Sequence, residues 1–447
     1  MSMLSLSHEQ FGAPFGNTVS VPGATLSNPW ANYQGGAGGL LPQGQNPMSI
    51  LAARTGFGNV AANIPFPTAG GYISSPLSDF KPTYVNQYNI SIQRQLGKDW
   101  LLSANFLATG TIHMVSGTNL NPSISFGTGP CTLQQVNAAG AVAPVSYPDC
   151  SKAAANFRRP LYMQDPLKGQ YYAGIGLVDD GGTATYHGMN LSAQKRLSHG
   201  INVLANYTWS HCISDQWFQN PTAGNGNSIP GNRRQWRGNC QGLDQRQLFQ
   251  ISMVGTTPKF NNPIARVLAS DWQFAPNLEI KSAQFFTIIT GSDVALTTTI
   301  NQTPNLLNTN PYPTNQSVDK WIISNAPGIR ADLRDTASAF ANAPLGSYGN
   351  LGYNNLKGPG IFQLNVAVSR NFRIREGQTL QLRGEAFNLP NHLNPGTPGG
   401  VSPTNFGGIA TLSAPNFGQI TNDISGTNGG LIPGDYRVVQ LAIKFIF

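Results

Sequence analysis

The sequence carries little charge. Aspartate, glutamate, lysine and arginine make up only 10% of its 447 residues, whereas soluble domains usually contain about 25%. The 27 basic and 19 acidic residues give a net charge of +8, spread without any long block of like sign, and this spread argues against disorder. The basic residues are also too scattered for a nucleic-acid-binding surface. We therefore expect no nucleic-acid partner.

Long apolar runs are missing as well. No segment approaches the roughly 18 consecutive apolar residues that a transmembrane helix requires, so helical membrane spans are excluded. Residues 1–17 contain neither a basic start nor a continuous apolar core, so we expect no signal peptide within them.

Cysteine occurs only four times. The residues form two sequence-local pairs, Cys131 with Cys150 and Cys212 with Cys240, within segments rich in Gly, Asn, Pro and Ser. Two loop disulfides, which would indicate an oxidising compartment, and four unpaired thiols are both compatible with this spacing. The separations are too wide to indicate a zinc site.

Motifs for catalysis and metal binding are also lacking. The six histidines show no HxH or HExxH spacing, and neither a phosphate-binding loop nor a GxSxG motif occurs. The pair Asp179-Asp180 before two glycines indicates a turn first and a calcium site second. We therefore expect no enzymatic activity, no bound metal and no cofactor.

The sequence does contain a clear alternation of apolar and polar residues with a period of two. Eight alternating segments are arranged as four hairpins with short turns, and a ninth segment ends at Phe447. The predicted turns are 97–99, 198–200, a longer one containing Pro258 and Pro263, and 375–377. The connections between hairpins are long and cover residues 115–183, 211–243, 292–359 and 390–434.

Short turns that alternate with long loops are typical of transmembrane β-barrels, whose strands cross the bilayer in about 9 to 11 residues. The predicted fold is all-β, an antiparallel transmembrane barrel of about nine strands with long extracellular loops. If the last strand descends to the periplasm, residues 1–83 form an extracellular segment and residues 84–447 form barrel. An odd number of strands does not close naturally, so we expect a partial barrel.

Two sets of strand residues are candidates for function. Because residues of a strand alternate between its two faces, polar side chains of the fourth hairpin are predicted to face the lumen. There they would contact a plug or substrate. The alternative is that they only hydrate the lumen and pair with one another. These residues are Gln363, Asn365, Gln381, Arg383 and Glu385. The terminal strand has one wholly apolar face. We expect this face to contact lipid; the alternative is that the strand is an ordinary buried edge strand. The apolar face consists of Val439, Leu441, Ile443, Phe445 and Phe447.

Several segments together resemble the carboxyl-terminal barrel portion of TonB-dependent receptors of the Oar-like group. The resemblance covers residues 84–447 and rests on YHGMNLSAQKRLSHGINVLANYTWSHCISD, LGYNNLKGPGIFQLNVAVSRNF, LQLRGEAFNLPNHLNPGTP and YRVVQLAIKFIF. It implies a Gram-negative outer membrane, with lipid and lipopolysaccharide around the wall. It also implies that the barrel assembly machinery reads the terminal apolar residues as a signal. A plug domain and a TonB contact belong to full-length members and are not visible in this sequence.

Three hypotheses for function follow from these observations. The leading one is a receptor and transporter barrel that takes part in uptake of a nutrient, such as a saccharide, a peptide or a metal chelate. The second is an adhesin or surface-structural barrel that transports nothing. The third is a secreted soluble β-sandwich or β-helix, in which the apolar strand faces pack against one another.

Overall fold

The computed structural model describes residues 70–74, 81–215, 229–240, 244–299, 302–399, 409–424 and 436–447. Strands dominate this part of the chain, and its helices are short. The α-helices are α1 (Pro160–Gln164), α2 (Pro166–Gly169) and α3 (Pro263–Ala269), with 3-10 turns at Cys150–Lys152 and Ala155–Arg158. None of these helices is long and apolar enough to cross a membrane.

The main feature is a wall of nine antiparallel strands, each paired with the next along the chain. The strands are β1 (Tyr84–Leu96), β2 (Trp100–Asn119), β3 (Tyr172–Ser198), β4 (Ile201–Ser214), β5 (Gln247–Thr256), β6 (Trp272–Lys281), β7 (Ile361–Arg375), β8 (Gln378–Phe387) and β9 (Val438–Ile446). Two more strands, Gly70–Ser74 and Gly238–Asn239, join the same sheet beside β3 and β4. The predicted antiparallel sheet is confirmed, and the strands of each of the four predicted hairpins pair with each other.

The register places the apolar residues of successive strands in rows across one face of the wall. Ile90 lies opposite Phe106, Phe106 opposite Met189, and Met189 opposite Trp209. Directly opposed residues of antiparallel strands share a face, and all four of these side chains are exposed. A soluble sandwich would bury such a row, so the hypothesis of two packed sheets is wrong. We call this side the outward face.

The turns lie where the alternation predicts them. Gly97 and Gly377 adopt φ values of +63° and +76°, a conformation that side chains with a Cβ rarely adopt and that tight hairpins need. The third turn contains α3, which the alternation did not predict. Asn262 begins this helix by accepting hydrogen bonds from the backbone of Ile264 and Ala265, and Pro263 occupies the first turn.

The first connection is shorter than predicted, because strand pairing continues into the segment predicted as loop. β2 extends to Asn119 and β3 begins at Tyr172, so the predicted loop 115–183 is partly strand. The two strands have 20 and 27 residues, about two to three times what a bilayer requires. Backbone pairing stabilises a ribbon beyond the membrane as well. Except for 70–74 and 81–83, the predicted extracellular segment 1–83 lies outside the described residues.

The long connections fold into a layer with its own hydrophobic core. We call this the outer layer and define it as residues 285–299, 302–357 and 409–424. Phe286, Ile288 and Ile322 are fully buried in this core. Its pairings are short: Phe285–Ile289 with Leu356–Lys357 and Ile409–Thr411, and Asn305–Leu306 with Phe340–Ala341. Loops in water must bury apolar side chains against one another, whereas the wall exposes its apolar side chains outward.

Candidate functional site

The five residues predicted as an assembly signal share the outward face of the last strand. Val439, Leu441, Ile443, Phe445 and Phe447 are exposed, from 47% at Phe445 to 93% at Phe447. On the neighbouring strand, Leu380 and Leu382 lie opposite Phe445 and Ile443 and extend the same apolar surface. A continuous apolar face of this size suits contact with lipid rather than water. Recognition by assembly machinery stays a prediction.

The polar residues of the fourth hairpin lie in separate small groups rather than in one site. Gln363 Nε2 donates to Asn365 Oδ1 at 3.3 Å, and Asn365 Oδ1 also accepts from the backbone of Asn388 at 2.9 Å. Arg383 and Glu385 form an ion pair with each other. These contacts match the alternative in which such residues mainly pair with one another.

Gln381 is the remaining member of that set. Its side-chain amide donates to Asn371 Oδ1 at 3.1 Å, which adds a bond between β7 and β8. All five polar residues therefore lie on the two strands that the alternation assigned to them. Contact with a plug or substrate stays a prediction.

Both cysteine pairs are joined as disulfides. Cys131 and Cys150 connect the hairpin of Cys131–Val136 and Val142–Tyr147 to the following 3-10 turn, with Cα atoms 5.4 Å apart. Cys212 and Cys240 connect β4 to residues 229–240, with Cα atoms 5.3 Å apart. Each bridge fixes part of a long connection between strands of the wall. The second bridge also forms part of a cavity.

This cavity, of about 290 Å³, lies where the wall meets the outer connections. Thr109 and Thr111 of β2 and Tyr186 of β3 line it from the wall, while Trp236 and Tyr353 line it from the connections. The threonines have the opposite parity to Phe106 and therefore lie on the inward face. Concave sites of this kind, mostly apolar with a few polar groups, are typical for small ligands.

A buried carboxylate organises the end of β4 beside the cavity. Asp215 is fully buried, and its Oδ2 accepts hydrogen bonds from the backbone and hydroxyl of Thr183 at 2.9 and 2.8 Å. Arg237 Nη1 lies 3.6 Å from Asp215 Oδ1 and donates to the Thr183 hydroxyl at 2.9 Å. A buried charge needs such partners. The network holds residues 236–240 over the cavity.

The aromatic wall of the cavity is held by edge contacts between rings. The Trp236 ring packs against Tyr353 with centroids 5.4 Å apart, and against Tyr348 with centroids 5.6 Å apart. Tyr348 is fixed by a contact of 2.7 Å between its hydroxyl and that of Thr297, and burial raises its pKa. Edge-to-face ring pairs favour a fixed orientation. Sequence alternation gives no signal for this cluster, because its members come from two different connections.

Two buried arginines join the first long connection to the connection between β6 and β7. Arg158 donates to the backbone carbonyls of Ile124 and Leu296, at 2.8 and 2.9 Å. Arg159 donates to the hydroxyl of Thr298 at 3.1 Å, and burial, followed by the charge of Arg158, lowers the Arg159 pKa to about 10. Both remain charged at neutral pH. No pattern in the sequence indicated this link.

The aspartates considered as a calcium site each contact a basic side chain. Asp179 forms an ion pair with Arg233, and this hydrogen bond raises the pKa of Arg233. Asp180 lies 3.3 Å from His113 Nδ1 and accepts from the backbone of Lys81. Within the described part of the chain, no group of three or more histidine, cysteine or acidic residues is arranged for a metal ion.

Comparison with protein families identifies the class. The family model described as outer membrane beta barrel domain matches residues 3–440, so the chain belongs to that family. Together with the nine-stranded wall, this membership assigns the protein to the outer membrane of a Gram-negative bacterium. Among curated proteins, no significant match is found.

Comparison with solved structures gives weaker likenesses. The outer membrane transporter YddB from Escherichia coli is 10% identical, with a TM-score of 0.36, and the match covers 85% of this chain and 34% of that one. The ferric-catecholate import receptor Fiu from E. coli K12 is 12% identical, with a TM-score of 0.35 and coverages of 86% and 30%. The copper transporter OprC is 8% identical, with a TM-score of 0.32 and coverages of 83% and 32%. The chain spans about a third of the length of these proteins.

Proposed function

We propose that this chain forms part of an outer-membrane receptor and transporter of the TonB-dependent, Oar-like type, and that it takes part in nutrient uptake. The observation that carries the proposal is the cavity between the inward face of the wall and residues 236–240. A ligand held there already lies on the polar side of the barrel. The ordered outer layer would present such a site to the cell exterior.

The proposed ligand is small, because the cavity measures about 290 Å³. Its aromatic wall and threonine hydroxyls suit a saccharide, a short peptide or the organic part of a metal chelate. Energised passage would require a plug domain and TonB, as part of a longer protein. The chain would bind and pass its ligand without transforming it, so it is not proposed to be an enzyme.

The test compares bacteria that carry the full-length gene with bacteria that lack it. Both are given a defined mixture of saccharides, peptides and metal chelates, and mass spectrometry follows which compound leaves the medium. We expect depletion of one compound class, its loss when a protonophore collapses the proton gradient, and recovery of the compound chemically unchanged inside the cells.

A pair of matched variants connects uptake to the cavity. Thr111→Trp fills the cavity from the inward face, whereas Ile112→Trp places the same ring on the outward face one residue away. We expect the first variant to abolish depletion and the second to retain it. Equal depletion by both variants would show that the cavity is not the entry site.

The buried core of the outer layer also supports a second candidate, an adhesin or surface-structural barrel. Its core of Phe286, Ile288 and Ile322 is built as in a globular domain, and such a layer suits a fixed contact with another surface. This candidate predicts that no compound is depleted and that gene loss reduces attachment of cells. A dependence of depletion on the proton gradient would exclude it.

A further inference from the structure

The third hairpin turn has an apolar surface that nothing in the described structure covers. The other three turns at this end of the wall are short, but the third contains α3. Ile264, Val267 and Leu268 of this helix are 71%, 66% and 65% exposed. Their spacing of three and four residues places them on one side of the helix. Exposed apolar groups on an ordered element indicate a contact surface.

The helix is firmly built despite its length of seven residues. Asn262 caps its first turn, and the Ser270 hydroxyl accepts a hydrogen bond from the backbone of Phe260 at 3.1 Å, which closes the turn. An isolated helix this short is unstable in water. Its order therefore depends on attachment to the wall.

This attachment places the helix on the outward side. Trp272 Nε1 donates to the Leu268 carbonyl at 2.8 Å, and the Arg370 guanidinium donates to the Val267 carbonyl. Trp272 and Arg370 lie opposite each other on β6 and β7, and they share the outward face with Phe372. The end of α3 is thus bound by two side chains that project from the lipid-facing side of the wall.

The surroundings of the helix are positively charged. Arg370 lies 5.4 Å from the ring centre of Trp272 and 4.7 Å from that of Phe372. Lys259 and Arg266 belong to the same turn, which contains Asp271 as its acidic residue. Three cations against one acid, with aromatic rings beside Arg370, match the phosphate level of a membrane.

We propose that α3 is an interfacial anchor that lies in the phospholipid leaflet at the turn end of the barrel. Ile264, Val267 and Leu268 enter the boundary between headgroups and acyl chains, while Arg266 and Arg370 contact lipid phosphates. Interfacial amphipathic helices bury their apolar face in this way. Because hairpin turns of outer-membrane barrels lie on the periplasmic side, the leaflet is the periplasmic one. The anchor would fix how deeply the third hairpin lies in the membrane.

The test uses probes attached to single cysteines in the full chain. All four natural cysteines are in disulfides, so an introduced thiol is the one that reacts. The variants Ile264→Cys and Leu268→Cys each carry an environment-sensitive fluorophore on the introduced thiol. They are studied in isolated outer membranes. These membranes contain an added phosphatidylcholine that bears a nitroxide high on its acyl chain. Glu376→Cys, in the polar turn of the fourth hairpin at the same end, is the matched control.

We expect the nitroxide lipid to quench the probes at positions 264 and 268, and iodide in the buffer to quench them several-fold less than the probe at 376. Adding Ile264→Asp to Leu268→Cys should raise iodide quenching toward the control value. Iodide quenching equal to the control would overturn the proposal. So would shielding from both quenchers, which would show that protein covers the helix instead of lipid.

Discussion

Leu441 and Gln440 offer a direct test of lipid contact, because these neighbours face opposite sides of the last strand. Leu441 is 85% exposed on the outward face. In water, replacing so exposed a side chain by lysine would change the free energy of unfolding by less than about 0.5 kcal/mol. In lipid, the same replacement places a charge in hydrocarbon. The two environments therefore predict different costs for one substitution.

The expected magnitude follows from the depth of Leu441. It lies five residues before Ile446, the last residue of β9, so it is about 17 Å away along the strand, at about 3.3 Å per residue. With a tilt of about 45°, this becomes roughly 12 Å along the membrane normal, close to the middle of an apolar band of about 25 Å. Lysine at the middle of the bilayer costs about 2 to 4 kcal/mol. This cost lowers the folding equilibrium constant by roughly 30- to 900-fold.

The assay is reversible unfolding by guanidinium in phospholipid vesicles, followed by tryptophan fluorescence. Leu441→Lys should lose about 2 to 4 kcal/mol of stability, whereas Gln440→Lys, on the inward face, should stay within about 0.5 kcal/mol of the original chain. Equal effects of the two substitutions would refute lipid contact at this face. The two substitutions share the strand, the depth and the introduced lysine, and they differ in the face of the wall on which the lysine lies.

Four further predictions concern the outer layer, the first long connection and the end of the chain. Ile288→Ala should destabilise the outer layer by about 2 to 5 kcal/mol, because a fully buried side chain leaves a cavity; faster proteolysis of the outer layer around an intact wall would show this, and unchanged proteolysis would contradict it. Replacing Cys131 and Cys150 together by serine should remove about 3 kcal/mol of constraint on a loop of this length, measured as faster cleavage between them, with the reduced original chain as control. Burial keeps the pKa of Tyr348 above that of the unfolded chain, so the stability that this shift contributes is complete below about pH 10 and is lost as the pH rises further. Burial raises the pKa of Tyr312 as well, so an ultraviolet titration of tyrosinate should show a smaller late component in Tyr348→Phe, and an unchanged one would contradict this prediction. Deleting Phe447 should lower the heat-modifiable, assembled fraction of the full-length parent, and an unchanged fraction would exclude it from the assembly signal.

The wall was predictable because lipid imposes a simple rule. A strand with lipid on one side and water on the other must alternate, and Ile90, Phe106 and Met189 follow that rule without help from any distant residue. The turns were equally local, since Gly97 and Gly377 mark them directly. The two-residue alternation therefore predicted both which segments form strands and which side of each strand faces outward.

The outer layer and the cavity were not predictable in this way. Phe286 and Ile288 flank Thr287 in a short, mostly apolar segment, and such a segment does not show the partner that buries it. Trp236, Asp215 and Tyr353 meet only after two connections have folded over the wall. Helix α3 had a local signal, Asn262 followed by Pro263, because that pair often begins a helix. A search for helix starts within the third turn would have found it.

The length of β3 has a consequence for how this protein meets its surroundings. Its 27 residues correspond to roughly 90 Å along the strand and, at a tilt of about 45°, to roughly 60 Å of height, of which lipid occupies about 25 Å. The remaining height raises the barrel rim well clear of the headgroups. A bulky visitor such as a phage fibre or an antibody would reach this rim before it touched the bilayer.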